Sequence, residues 1–231
     1  RTRNLAIGMG TGTYIAVLTQ DAMPAHDHWL FDLVSVLEHY PDAAGAFGPH
    51  FAYPAHSQFN KLEMQTHFDG FLQFPLAVGM DTDRGKWDSG DPGWRGMIHF
   101  YSDNNSCMRR SVWEQIPYPE VSFGEDQMWA NEVVEAGYLK AFAPSAHVFH
   151  SHEFSEEEMF KRMKSEAAFF MQEMGKAMGP TNEAQLERAL LEGAMGIETT
   201  GRQYGFSRPE IEQRKALEVA KIKGIYEALR S

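Results

Sequence analysis

The hydrophobic positions fall into two periods. Tyr14–Thr19 is a continuous apolar, β-rich run, which predicts a strand buried in a parallel sheet. Ala43–Gly48, Ile98–Tyr101, Ser106–Met108, Lys140–Phe142 and Ala146–Phe149 predict further short strands. Between them, Trp29, Leu30, Leu33, Val34 and Leu37 recur at helical spacing. They predict an amphipathic helix over 28–39 with all five facing inward, broken by Pro41-Asp42. Residues 58–74 read as a mixed helix, and Arg110–Ile116 as a short one ended by Pro117 and Pro119. Trp129, Ala130, Val133, Val134 and Ala136 mark a helix that holds Glu125 and Asp126 at its first turn, just after Gly124.

The remaining third is helical throughout. Ser155 with Glu156, Glu157 and Glu158 is a capping sequence that opens a helix to about Gly175. Gly179-Pro180 breaks the chain. Two more helices follow over 182–198 and 208–230, the last with Ser207 as N-cap and Pro209 near its first position. One stretch resists either period. Gly79–Gly96 mixes Asp81, Asp83, Asp88 and Asp91 with five glycines, Trp87 and Trp94. The EF-hand pattern fails there, because no Glu closes the loop. The stretch reads as a mobile active-site loop or a plain surface excursion.

Composition narrows the class. With 231 residues, 43% hydrophobic and 13% aromatic, the chain can bury a sizeable core. No apolar run approaches the ~18 residues of a membrane span, and the first residues lack a secretory pattern. A single cysteine, Cys107, allows no internal disulfide framework and fits a reducing cytoplasm as an inert core thiol. The formal charge is −11: residues 1–155 hold 19 acids against 9 Lys and Arg, and residues 156–231 hold 13 against 12. Such an acidic surface disfavours nucleic acid, whose binding requires neutralised phosphates. A diphosphate needs only a local cation, which a bound metal can supply.

Three positions carry candidate chemistry. Glu125 and Asp126 sit where a helix dipole favours negative charge, so they serve as caps or as a catalytic base on a rigid element. Asp21 follows the strand at 14–19, and ligands in open α/β sheets bind beyond strand ends. His150 and His152 follow another strand, and alternation points both to one side. The other histidines, His26, His28, His39, His50, His56 and His67, show no metal-ligand spacing. Trp113 reads as core. Trp129 either stacks on a sugar or packs.

Taken together, Arg-Thr-Arg-Asn-Leu-Ala at 1–6, Tyr14–Ala22, Phe-Gly-Glu-Asp-Gln-Met-Trp at 123–129 and Val-Phe-His-Ser-His at 148–152 resemble inverting family 2 glycosyltransferases of the GT-A fold, bacterial rhamnosyltransferase-like members in particular. The resemblance covers about residues 1–175. It implies an α/β fold, a mixed sheet flanked by helices, with a GT-A catalytic domain over 1–155 and an α-helical extension over 156–231. It also implies a βαβ nucleotide-binding unit ahead of Arg1, without which a sheet edge would be exposed.

What the resemblance implies for chemistry is specific. Asp126 is the base that deprotonates the acceptor, and Glu125 supports it. Asp21 and a histidine of the 150–152 pair, more so His150 than His152, hold Mn²⁺ or Mg²⁺. Here the chain departs from the family, since Gln20-Asp21-Ala22 has one acid where an Asp-x-Asp motif has two. Arg3, Asn4, Gln20 and Asn105 lie near the donor, and Trp129 and Trp94 near the acceptor. The implied activity is transfer of a sugar from a nucleotide-diphospho-sugar to a saccharide or lipid-linked acceptor in cell-surface polysaccharide synthesis. The setting is the cytoplasm or the inner face of the membrane, with the helical tail open to a second copy or the membrane surface. The alternative is a non-catalytic binding or scaffold module of the same fold. A metal-dependent hydrolase would want a tighter ligand cluster, such as His-x-x-x-His, which is absent.

Overall fold

The computed structural model describes residues 2–121, 123–175 and 177–230. Arg1, the first arginine of the N-terminal motif, lies outside them. The order is α1 (Thr2–Met9), β1 (Tyr14–Leu18), β2 (Met23–Pro24), α2 (Trp29–His39), β3 (Ala43–Phe47), β4 (His50–Phe51), α3 (Gln58–Asp69) and β5 (Ala77–Val78). Next come α4 (Arg84–Ser89), α5 (Pro92–His99), β6 (Asn105–Arg109), α6 (Arg110–Trp113), α7 (Glu125–Glu135), β7 (Leu139–Phe142) and β8 (Val148–Phe149). The chain closes with α8 (Glu156–Met174), α9 (Glu183–Gln203) and α10 (Arg208–Leu229).

The main sheet has the strand order β1-β6-β3-β7-β5. Among its described strands, β3 and β7 pair in parallel and the other neighbours are antiparallel. One face carries Leu33 and Leu37 of α2 packed with Ala43, Ala46, Cys107 and Ala141. The other carries Trp129, Ala130 and Val133 of α7 with Phe47, Met108 and Phe142. Burial on both faces explains why β3 reads as an unbroken apolar run. A second sheet, β2-β8-β4, is short and carries the chain from the main sheet towards His150. By compactness the chain forms two units. One runs to Pro54 and resumes over Glu63–Ser151; the other takes Ala55–Leu62 and everything from His152. Within the second, α10 packs along α8 and α9, with Met163, Ala167, Ile225 and Leu229 between α8 and α10.

Several elements differ from the sequence expectation. β1 is neither parallel nor buried: it is an edge of the described sheet, antiparallel to β6, with Ile15 buried and Ala16 and Leu18 exposed. A strand with one neighbour and one covered face needs apolar residues only at alternate positions. Leu30 does not face inward but is 47% exposed. Ile98–Tyr101 is the end of α5 and its exit rather than a strand. The stretch from Gly79 to Gly96 is no irregular loop. It is a helical turn over Met80–Asp83 followed by α4 and most of α5. Two of its aspartates are caps: Asp83 accepts from the Lys86 N–H and Asp91 from the Trp94 N–H, with Pro92 next in line, while Asp81 and Asp88 pair with Arg84. Trp87, Trp94 and Ile98 form a small core beneath them with Val78 and Val134.

Candidate active site

The site lies at the rim where β1 and β3 end and β6 begins. Leu18 pairs with Asn105, so residues 19–21 and 102–104 are brought side by side. Asn105 closes the rim from within. It is wholly buried, donates to the carbonyls of Pro49 (3.2 Å) and Ala146 (2.6 Å), and accepts from the Trp29 indole at 2.6 Å. Gly48 permits this closure, since a Cβ there would lie 2.1 Å from the Ala146 oxygen and 2.5 Å from Asn105 Nδ2.

On one side of the rim stand Asp21 and His150. Asp21 is exposed in the turn after β1, and its carbonyl accepts from the Tyr53 hydroxyl at 3.1 Å. His150, nearly buried just past β8, places Nε2 3.5 Å from Asp21 Oδ2. Its Nδ1 meets the Asn104 amide nitrogen at 3.4 Å, and Asn104 Oδ1 accepts from Thr19 at 3.3 Å. His152 is exposed, two residues along at the start of the second unit. One donor atom from each of Asp21, His150 and His152 lies within 4.8 Å of the others. Behind His150 is His50, with ring centroids 5.3 Å apart; burial, with His150 beside it, pushes the pKa of His50 down to about 3. Sequence spacing gave no hint of that neighbour, because β4 and β8 meet only in the fold.

On the other side stand the carboxylates of α7. Gly124, at φ +67°, takes the left-handed conformation that starts the helix. Glu125 ion-pairs with Arg3 of α1. Asp126, half-buried, accepts from the Gln127 N–H at 2.8 Å and the Asp103 N–H at 3.1 Å. Burial raises its pKa against those two hydrogen bonds. Asp103 is the centre of this side. It is 1% exposed, and it accepts from Tyr118 (2.6 Å) and Ser106 (3.0 Å) at Oδ1 and from Arg3 (3.0 Å) at Oδ2. Burial first, and then the charge of Asp126, push its pKa up to about 7.

The structure therefore gathers Arg3, Glu125 and Asp126 in one cluster and Asp21 and His150 in another. The two are joined by consecutive residues: Asp103 touches the first and Asn104 the second. Other expected site residues are engaged elsewhere. Asn4 donates to the Tyr118 carbonyl and accepts from the Trp113 indole, which docks α1. Asn105 is committed to the backbone, so Asn104 is the asparagine that faces the site. Gln20 is exposed in the turn beside Asp21. Trp129 is wholly buried, with its indole N–H on the Ile116 carbonyl and Tyr101 and Tyr118 against its ring, so it has no face for a sugar. Trp94 is buried beneath α5. Asp103, Asn104 and Tyr118 were not singled out from sequence. The signal available was the acid-amide pair directly before the strand that pairs with the end of β1.

No family model and no curated protein matches this chain. Among solved structures, a mannosyltransferase from Pyrobaculum calidifontis in complex with GDP-Man and Mn²⁺ aligns over 97% of the chain, with a TM-score of 0.52 and 13% identity. The chain spans 65% of the length of that structure. The fold is thus that of the nucleotide-diphospho-sugar transferases, a mixed α/β sheet flanked by helices with further helices at the C-terminal end. Among the described residues, no helix is long and apolar enough to cross a membrane.

Proposed function

We propose that this chain carries the catalytic elements of a metal-dependent inverting glycosyltransferase. It would move a sugar from a nucleotide-diphospho-sugar to a saccharide or lipid-linked acceptor, as in cytoplasmic assembly of a cell-surface polysaccharide. The family 2, rhamnosyltransferase-like pattern belongs to this reading. So does the division of labour, with the transfer chemistry in residues 1–155 and the helices of 156–231 free to meet a second copy or a membrane surface. The observation that carries the proposal is the pair of neighbours Asp103 and Asn104, which set Asp126 and His150 on two sides of one rim.

The donor set fits a divalent ion. A carboxylate and two imidazoles offer one oxygen and two nitrogens within reach of each other, and diphosphate oxygens complete such a shell. Imidazole ligands argue for Mn²⁺ over Mg²⁺, which keeps to oxygen and water. When bound, the ion supplies positive charge against the departing diphosphate. Asp21 and His150 would hold it, His152 would add a ligand, and the Asn104 amide, turned to present its oxygen, would accept the Nδ1–H of His150 and fix the ring from its other nitrogen. Asp126 would take the proton of the acceptor hydroxyl as that oxygen bonds to the anomeric carbon and the bond to the diphosphate breaks. Burial raises its proton affinity towards that of a working base. Glu125, neutralised by Arg3, would orient rather than accept.

Mn²⁺ titration followed by electron paramagnetic resonance tests the metal half. Binding should be lost or weakened at least ~10-fold in His150→Ala. Release of nucleoside diphosphate from a panel of nucleotide sugars, with and without EDTA, tests the rest. Metal binding with no release from any donor would favour the binding-module reading, which the engagement of Asn4 and Asn105 in structural hydrogen bonds also supports.

A further inference from the structure

Asp103 has no role in the chemistry so far, yet it is the most buried acid of the site. A carboxylate taken out of water is costly unless its oxygens are satisfied. Here both are: Tyr118 and Ser106 donate to one, and Arg3 to the other. These partners come from α1, from β6 and from the segment before α7, so the side chain ties three separate pieces of chain at one point. Two consequences follow for the carboxylates of α7. With the Asp103 side chain fixed, its own backbone N–H is aimed at Asp126 Oδ2. The same side chain holds the Arg3 guanidinium, whose terminal nitrogen also pairs with Glu125. Glu125 is thus the α7 acid in direct ion pair with Arg3, and Asp126 feels that cation only through space.

We propose that Asp103 is a positioning residue that selects the base. By anchoring Arg3 on Glu125 and its own N–H on Asp126, it leaves Asp126 as the carboxylate able to take a proton. This rests on the reading of Asp126 as the base, but the arrangement can be measured without any substrate. The groups facing Asp103 are Arg3 from α1, Asp126 from α7, Tyr118 ahead of α7, and Tyr101 just before β6, and Glu125 faces Asp126 and Arg3. Among them Asp126 is the anion that raises the proton affinity of Asp103.

The test is the titration of Asp126 in the intact chain, followed by ¹³C NMR of labelled aspartate carboxyls. Its signal is identified as the one missing from Asp126→Asn. In Asp103→Asn the carboxylate that holds Arg3 is gone, the cation is no longer anchored beside the α7 carboxylates, and the Asp126 midpoint should rise. In Arg3→Gln the anchored cation is gone, and the midpoint should rise. Arg3 is over a third exposed, so that variant does not depend on repacking a core. A folded Asp103→Asn with an unmoved or lowered Asp126 midpoint overturns the proposal. If Asp103→Asn fails to fold, Arg3→Gln decides, and an unmoved or lowered midpoint there overturns it. A chain with these shifts that releases nucleoside diphosphate from no donor would sink the transferase reading and leave the positioning role standing. An active transferase without them would do the reverse.

Discussion

At the scale of single residues, neighbouring side chains of similar type have different work. Asp126 and Glu125 differ by one position on α7, but successive helical residues diverge by ~100°, and one meets the Asp103 N–H while the other meets Arg3. Asp126→Asn keeps one of the two acceptor contacts through its amide oxygen, sets an NH2 group against the other N–H, and removes the base. Turnover should drop ~10²-fold or more with donor KM nearly unchanged, and Glu125→Gln should cost less. Steady-state assays of both variants would reverse the roles if Glu125→Gln proves the more damaging. Asn104 and Asn105 divide in the same way. Asn105→Ala should leave two buried carbonyls and the Trp29 indole without partners, destabilising the fold by roughly 3 kcal/mol in urea titrations. Asn104→Ala should change metal affinity and leave stability nearly intact.

At the scale of elements, local chemistry decides what the sequence could reveal. Ser155 and Ser207 were legible as helix starts because a capping box needs only residues three apart, and both boxes form, with Glu158 and Glu210. Asp83 and Asp91 use the same chemistry, yet four aspartates among five glycines read as a loop. Asp91→Ala tests which is right. A true cap should cost about 1 kcal/mol in denaturant unfolding, whereas an irregular loop should lose nothing measurable. Strand direction was less accessible. Periodicity reports which faces are covered, and β1, with five mostly apolar residues, mimics a parallel core strand while lying at an edge. The candidate site shows the same limit. Asp21, Asp126 and His150 stand out because each ends or begins an element. Asp103 does not, because its significance comes from Tyr118, Asp126 and Arg3, at 15, 23 and 100 residues' separation. Trp129 and Trp94 were equally ambiguous, since an aromatic at helical spacing packs or binds according to what the fold lays over it.

At the scale of the whole molecule, buried ionisable groups make stability depend on pH, and their signs can be worked out. His50 has its pKa lowered to about 3 from 6.5, so between those values the unfolded chain holds more protons and stability rises with pH. Asp103 is raised to about 7 from 3.8, so over that window the folded chain holds more, and stability falls with pH. The two oppose each other in mildly acidic solution. Lys140 acts elsewhere. It is 2% exposed on the interior strand β7, with Nζ donating to the Met97 carbonyl at 2.7 Å and the rings of Phe47 and Phe71 at 5.0 and 5.5 Å. Burial lowers its pKa to about 7 from 10.5. Below 7 both states carry the proton and the folded chain bears the full cost of a buried ammonium. Above 7 the folded chain sheds the proton while the unfolded chain keeps it, so stability should climb, by up to about 1.4 kcal/mol per pH unit. The Cys107 thiol, pushed up to about 12 by burial from 9, opposes this only above pH 9. Between pH 7 and 9 Lys140 therefore dominates, and urea midpoints measured across that range should rise. Lys140→Met, which keeps the length and apolar stem without the charge, should be more stable than the parent at pH 7 and flat from 7 to 9. A parent protein with no rise over that window, or a variant that still shows one, would mean that the ammonium at position 140 is neutralised by something other than loss of its proton.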